Sequence, residues 1–228
     1  MMRKDSRTAY CFSLTGRLSW IVLVSLLLLA SCRSGPPTAE DRAKTANGLV
    51  KAGKEDFTRG DIDSAISKFE EVLQLVPDWT TARRDYAELL YYKGLGYDRH
   101  SLGTWQRALG KEFDDVTHAW KESGAVVSEG EKAKLEKDSD EAKRKALLFY
   151  RQSLEQLQIL DRMVRGADEG VVCAMAILHI FLNELDQAKT CFERVLESPR
   201  VEEGVKERIR NALDAIDKFQ KQEATPGT

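Results

Sequence analysis

Apolar residues recur three and four positions apart along most of this chain, the spacing that gives a helix one buried face. Thr38 can cap a first helix running to about Arg59, where Gly60-Asp61 interrupts the pattern and Asp61 can cap a second. Ala65, Phe69, Val72 and Leu73 form the apolar stripe of that second helix. Pro77 stops it, and Asp78 can cap the next. A third helix, from Trp79 or Thr80 to about Lys93, carries Ala82, Tyr86, Ala87 and Leu90 on one face. Gly94, Gly96 and Gly103 then punctuate an expected loop. Trp105, Leu109, Phe113, Val116 and Trp120 follow at the spacing of another buried helical stripe.

From Lys111 to Lys145 charges of both signs crowd the chain, which reads as a solvated surface laced with i,i+4 pairs. Ser128–Glu131 and Asp138–Glu141 each match a capping box, so a weak helix is expected before a longer one from about Asp140 to Arg165. The longer one bears Ala146, Leu147, Tyr150, Leu154, Leu157 and Leu160 on one face. A hairpin-like unit spans Glu169 to Pro199. An amphipathic helix from Val201 to Lys221 turns Val205, Ile209, Ala212, Leu213 and Ile216 inward.

Within this pattern, Ala46 to Trp79 places Leu49, Ala52, Gly53, Ala65, Phe69 and Pro77 at spacings that resemble a tetratricopeptide (TPR) repeat, a helix–turn–helix unit of about 34 residues. Two positions depart from the family pattern. Asp56, with Phe57 beside it, stands where an aromatic residue is usual, and Val72 replaces an alanine. Small Gly53 and Ala65 let two antiparallel helices approach closely. Ala176, Asn183, Ala188, Phe192 and Val195 repeat the spacing of Gly53, Gly60, Ala65, Phe69 and Val72. The second repeat carries an insertion of ~10 residues against the family period. One hairpin cannot bury its own stripe, so such units stack.

The expected fold is therefore all-α: a short TPR-like helical-hairpin solenoid over residues 39–221 with an irregular middle and a C-terminal capping helix. Residues 222–228 are a tail. The resemblance implies a concave face, lined by the first helix of each pair, that holds a peptide or partner helix. Here it would comprise Val50, Lys54 and Phe57, then Arg84, Glu88, Tyr91 and Tyr92, then Ile177 and Phe181.

The N-terminus places the protein. Arg3, Lys4, Arg7 and Arg17 precede an apolar run from Trp20 to Ala30, which reads as a secretory signal and is shorter than the ~20 residues of a membrane span. Leu29-Ala30-Ser31-Cys32 resembles a bacterial lipobox. That implies a lipoprotein signal peptide over residues 1–31, a lipidated tether over 32–38, and Cys32 acylated in the bilayer. Arg33, rather than an aspartate, resembles the outer-membrane default of Gram-negative lipoproteins. The expected location is the cell envelope, on the periplasmic face of the outer membrane.

Composition changes little in this picture: 32% charged and 42% hydrophobic residues suit a helical domain rather than long disorder. A net charge of −2 leaves no electrostatic footprint for nucleic acid. His100, His118 and His179 sit in no metal-binding spacing, and no nucleophile motif or phosphate loop is present. No cofactor, metal or catalytic residue is expected. Cys173 and Cys191 lie in facing helices, where a disulfide is conceivable, with two buried thiols as the alternative. The expected function is a membrane-tethered scaffold or adaptor that binds a protein or peptide. Two alternatives stand beside it: a periplasmic enzyme or ligand-binding protein with its site in residues 94–145, and a purely structural lipoprotein.

Overall fold

The computed structural model describes residues 38–114, 117–124 and 126–224. The signal peptide, Cys32, most of the tether, Val116 and the last four residues lie outside the described residues. The chain divides into two compact units, Met1–Lys44 and Thr45–Thr228. Of the first, Thr38–Lys44 is described. Thr38 Oγ1 accepts from the Asp41 amide at 3.1 Å, and Asp41 Oδ2 accepts from the Thr38 amide at 3.2 Å. This reciprocal box starts α1 (Ala39–Thr58).

In the second unit α1 ends as its sequence demands. Gly60 adopts φ 83°, the Asp61 amide returns to Asp56 O at 2.9 Å, and the Gly60 amide reaches Phe57 O at 2.9 Å. Asp61 then accepts from the Ser64 amide at 3.0 Å and caps α2 (Ile62–Leu75). Phe69 is 1% exposed, and a Cβ on Gly53 would stand 2.9 Å from its ring. The small residue is what lets α1 and α2 meet.

Asp56 is buried in the same hairpin, where Lys68 and Arg59 both ion-pair with it. The Lys68 hydrogen bond, helped by Arg59, holds its carboxyl below the ordinary range. A carboxyl whose folded pKa is depressed adds stability above its unfolded value, and that stability is lost as pH falls through the folded one. Acid unfolding of the wild type is therefore expected to steepen below about pH 4. Asp56→Asn should be less stable at neutral pH and show a shallower acid limb in thermal melts. Identical limbs would remove Asp56 from the account.

Three expectations for the middle of the chain are overturned. First, α3 runs unbroken over Thr80–Ala108, with Gly94, Gly96 and Gly103 inside it. Its N-cap is Trp79, with no side-chain cap; Asp78 does not serve. The loop expected at Gly94–Gly103 is absent because tertiary packing outweighs the roughly 1 kcal/mol that each glycine costs a helix. A Cβ at Gly94 would lie 2.6 Å from the Tyr150 ring, Ser101 and Ser139 hydrogen-bond at 3.0 Å, and Ser153 donates to Ala87 O at 2.7 Å.

Second, Trp105 to Trp120 is not one helix. Gly110, at φ 71°, ends α3, and β1 (Lys111–Asp114) pairs antiparallel with β2 (Ala119–Glu122). Phe113 faces Trp120 across the ladder, while Trp105 and Leu109 are left exposed on the end of α3. Among the described residues the otherwise helical fold thus contains one small β-hairpin.

Third, the weak and longer helices are one, α4 (Glu129–Met163). Ser128 caps it, accepting from the Glu131 amide at 3.3 Å, and Asp138 lies in its interior.

The C-terminal part follows the expected pattern as α5 (Glu169–Phe181), α6 (Leu185–Leu196) and α7 (Glu203–Ala224). Asn183, at φ 58°, turns α5 into α6 as Gly60 turns α1 into α2. Ala176, Ala188, Phe192 and Val195 are all buried. From α2 onward each helix packs on the next in sequence. Two apolar cores result, one around Ala65, Phe69 and Val72, the other around Tyr150, Leu157 and Phe192. α3 serves both, with Leu89 and Leu90 in the first and Ala87 in the second. Among the described residues no helix is long and apolar enough to cross a membrane.

Candidate partner-binding groove

Eight of the nine groove residues read from the sequence come together along α1, α3 and α5; Val50 does not. α3 turns Leu89 and Leu90 into the first core and leaves its opposite side outward. Glu88 and Tyr92 are exposed. The rings form a continuous row: Phe57 to Tyr92 at 5.5 Å between centroids, Tyr92 to Tyr91 at 5.8 Å, Tyr91 to Phe181 at 5.9 Å, and Phe181 to Tyr150 at 4.7 Å. Phe57 and Tyr92 are each 39% exposed and Ile177 44%, while Tyr150 is sealed beneath. Such a row is an apolar surface with hydroxyl edges, suited to anchoring a partner's apolar side chains.

Two clefts flank the row. One, of about 340 Å³, lies between α3, α4 and α5 and is bounded by Arg84, Glu88 and Tyr91 on one side and Ala174 and Ile177 on the other. Its floor includes Leu157, Val171 and Ser153, whose hydroxyl is already spent on Ala87 O. The other, of about 320 Å³, is bounded by Lys54, Phe57, Asp85 and Glu88. Glu88 borders both. Val50 sits apart, in a shallow recess with Asn47 and Lys51.

Electrostatics at the groove are mostly paired. Arg84 is held by Asp168, which also caps α5 by accepting from the Val171 amide at 3.1 Å. Lys54 contacts Asp85 at 3.0 Å. Burial, and then the neighbouring Tyr92, push the Tyr91 hydroxyl above its usual range. Burial and the Asp98 carboxylate do the same for Tyr150, which donates to Asp98 Oδ2 at 3.2 Å. Both remain neutral donors at physiological pH.

No protein-family model matches the chain, and no curated protein matches it. The site is therefore read from its own geometry. Sequence reasoning missed the cleft floor. Val171 and Ala174 lie three residues apart on α5, continuing to Ile177, but that small-residue step looks like ordinary packing until α3 is placed opposite.

His179 is buried with Nδ1 2.7 Å from Glu184 Oε2, fixing the turn after α5. Cys173 and Cys191 are free thiols, and burial pushes both above the usual thiol range. Among the described residues no cluster of His, Cys, Asp or Glu is arranged to hold a metal.

Proposed function

We propose that this chain is a membrane-tethered adaptor of the bacterial cell envelope that holds a protein partner in the α1–α3–α5 groove without catalysing a reaction. The observation that carries the reading is the aromatic row from Phe57 to Phe181, exposed at Phe57 and Tyr92 and half-buried at Tyr91 and Phe181. Support for a TPR-like solenoid comes from the two hairpins that place equivalent residues in equivalent roles, Gly60 with Asn183 and Phe69 with Phe192. The lipobox-like Leu29–Cys32 supports attachment through an acylated Cys32, with residues 32–38 as tether and the outer membrane as destination. Nothing in the sequence or the groove favours nucleic acid or a cofactor.

The experiment is in-cell crosslinking with the wild type and two variants. Arg84→Ala/Tyr91→Ala/Tyr92→Ala is expected to lose partner recovery while keeping membrane attachment, since Tyr and Arg carry most of the binding energy of many interfaces. Cys32→Ala is expected to lose acyl labelling and to keep its leader uncleaved, because cleavage at a lipobox precedes that cysteine. Undiminished recovery by the triple variant would move the binding surface elsewhere. Unchanged labelling in Cys32→Ala would remove the anchor.

A further inference from the structure

A second surface lies at the far end of α3, built by the hairpin that the spacing pattern had hidden. Arg99, Gly103 and Arg107 follow one another at i, i+4 and i+8 and so share one side of α3. Trp120 lies over Gly103, where an added Cβ would stand 3.8 Å from its ring. Phe113, the cross-strand neighbour of Trp120, meets it edge-on at 5.5 Å. Together with His100 and Glu112 these residues bound an open cleft of about 390 Å³.

The charges around it are unbalanced in one respect. Lys121 is occupied by Glu112 at 3.4 Å and Asp114 at 3.2 Å. Arg99 and Arg107 are exposed and neither pairs with a carboxylate among the described residues; Arg107 reaches only Thr104 Oγ1, at 3.4 Å. Arg99 and Arg107 therefore leave α3 about 12 Å apart along the helix axis, with Trp120 over Gly103 between them.

We propose that this cleft binds an extended acidic peptide segment of a partner protein, with carboxylates at positions i and i+4 and an apolar side chain at i+2. In an extended chain those three side chains point the same way and span about 13 Å, close to the axial spacing of the Arg99 and Arg107 positions. The carboxylates meet Arg99 and Arg107 as charge-assisted forks, and the apolar residue lies on Trp120 and Phe113. A nucleic acid strand is the poorer fit, because two cations on a chain of net charge −2 cannot follow a phosphate backbone. The proposal is independent of the groove, which uses none of these residues.

The test uses the full chain in a non-ionic detergent and a fluorescein-labelled probe peptide, Gly-Glu-Ser-Phe-Ser-Glu-Gly, followed by anisotropy. Saturable binding that weakens with salt is expected, with a loss of about tenfold or more in Arg99→Gln/Arg107→Gln. The matching lysine probe, Gly-Lys-Ser-Phe-Ser-Lys-Gly, should bind Arg99→Glu/Arg107→Glu better than the wild type. Both arginines are exposed, so melting temperature and helicity should hold; if a double variant melts, the single Arg99→Gln change carries the comparison. No saturable binding by the wild type, or binding unchanged by the arginine substitutions, overturns the proposal. So does tighter binding of an oligothymidylate or of anionic phosphatidylglycerol vesicles than of the acidic probe.

Discussion

Phe69→Ala is expected to destabilise the protein by roughly 3–5 kcal/mol, as truncation of a fully buried aromatic does when its surroundings relax little. The ring is 1% exposed, and its edge rests on Gly53 across the helix pair. Its neighbours Ala65 and Val72 are themselves 0% exposed, so neither is free to move into the space. For a domain of this size the loss corresponds to a fall in melting temperature of roughly 6–20 °C. The damage should also be local, because the core around Phe69 is separate from the one around Tyr150, with α3 and Phe149 of α4 linking them. Amide exchange should therefore accelerate most in α1 and α2 and least in α5 and α6. An unchanged melting temperature would show that the α1–α2 pairing is wrong. Uniform acceleration would show instead that the two cores unfold as one.

The second large effect is a difference of sign between identical substitutions two residues apart. Gly96→Ala should stabilise by up to about 1 kcal/mol, since nothing lies within 4 Å of the new methyl and alanine favours the helix. Gly94→Ala should destabilise by about 1–3 kcal/mol, because the methyl would sit 2.6 Å from the Tyr150 ring and 3.3 Å from Ala146 O. Tyr150 cannot retreat easily: Phe181 stacks on it and its hydroxyl is tied to Asp98. Had residues 94–103 formed a loop, both changes would act weakly and with the same sign. Urea midpoints of the two variants against wild type decide the matter, and equal shifts would dissolve the continuous α3.

The two hairpins at either end were legible residue by residue. Ala65, Phe69 and Val72, like Ala188, Phe192 and Val195, needed only helical spacing to be assigned inward, and Gly60-Asp61 marked its own turn. Each rests on forces that act within one hairpin: stripe burial, a left-handed stop, a capping carboxylate. The groove residues were named from the TPR resemblance, and of them Tyr91 and Phe181 are half-buried against the second core. Asp56 was visible only as a departure from the repeat pattern, because its partner Lys68 comes from the facing helix.

The sequence by itself determined a predominantly helical chain and the turn and core of both hairpins. The tertiary structure alone decided the middle. Gly94 and Gly103 look like breaks to any local rule, yet one admits the Tyr150 ring and the other lies beneath Trp120, contacts made with residues 56 and 17 positions away. Phe113 and Trp120 fit a helical period equally well until Gly110 turns the chain and the strands pair. Periodicity reports what one element would bury, whereas close helix approach and strand pairing depend on which distant residue arrives opposite. That choice is made by packing, where placing a glycine against an aromatic ring outweighs the modest helix propensity it gives up.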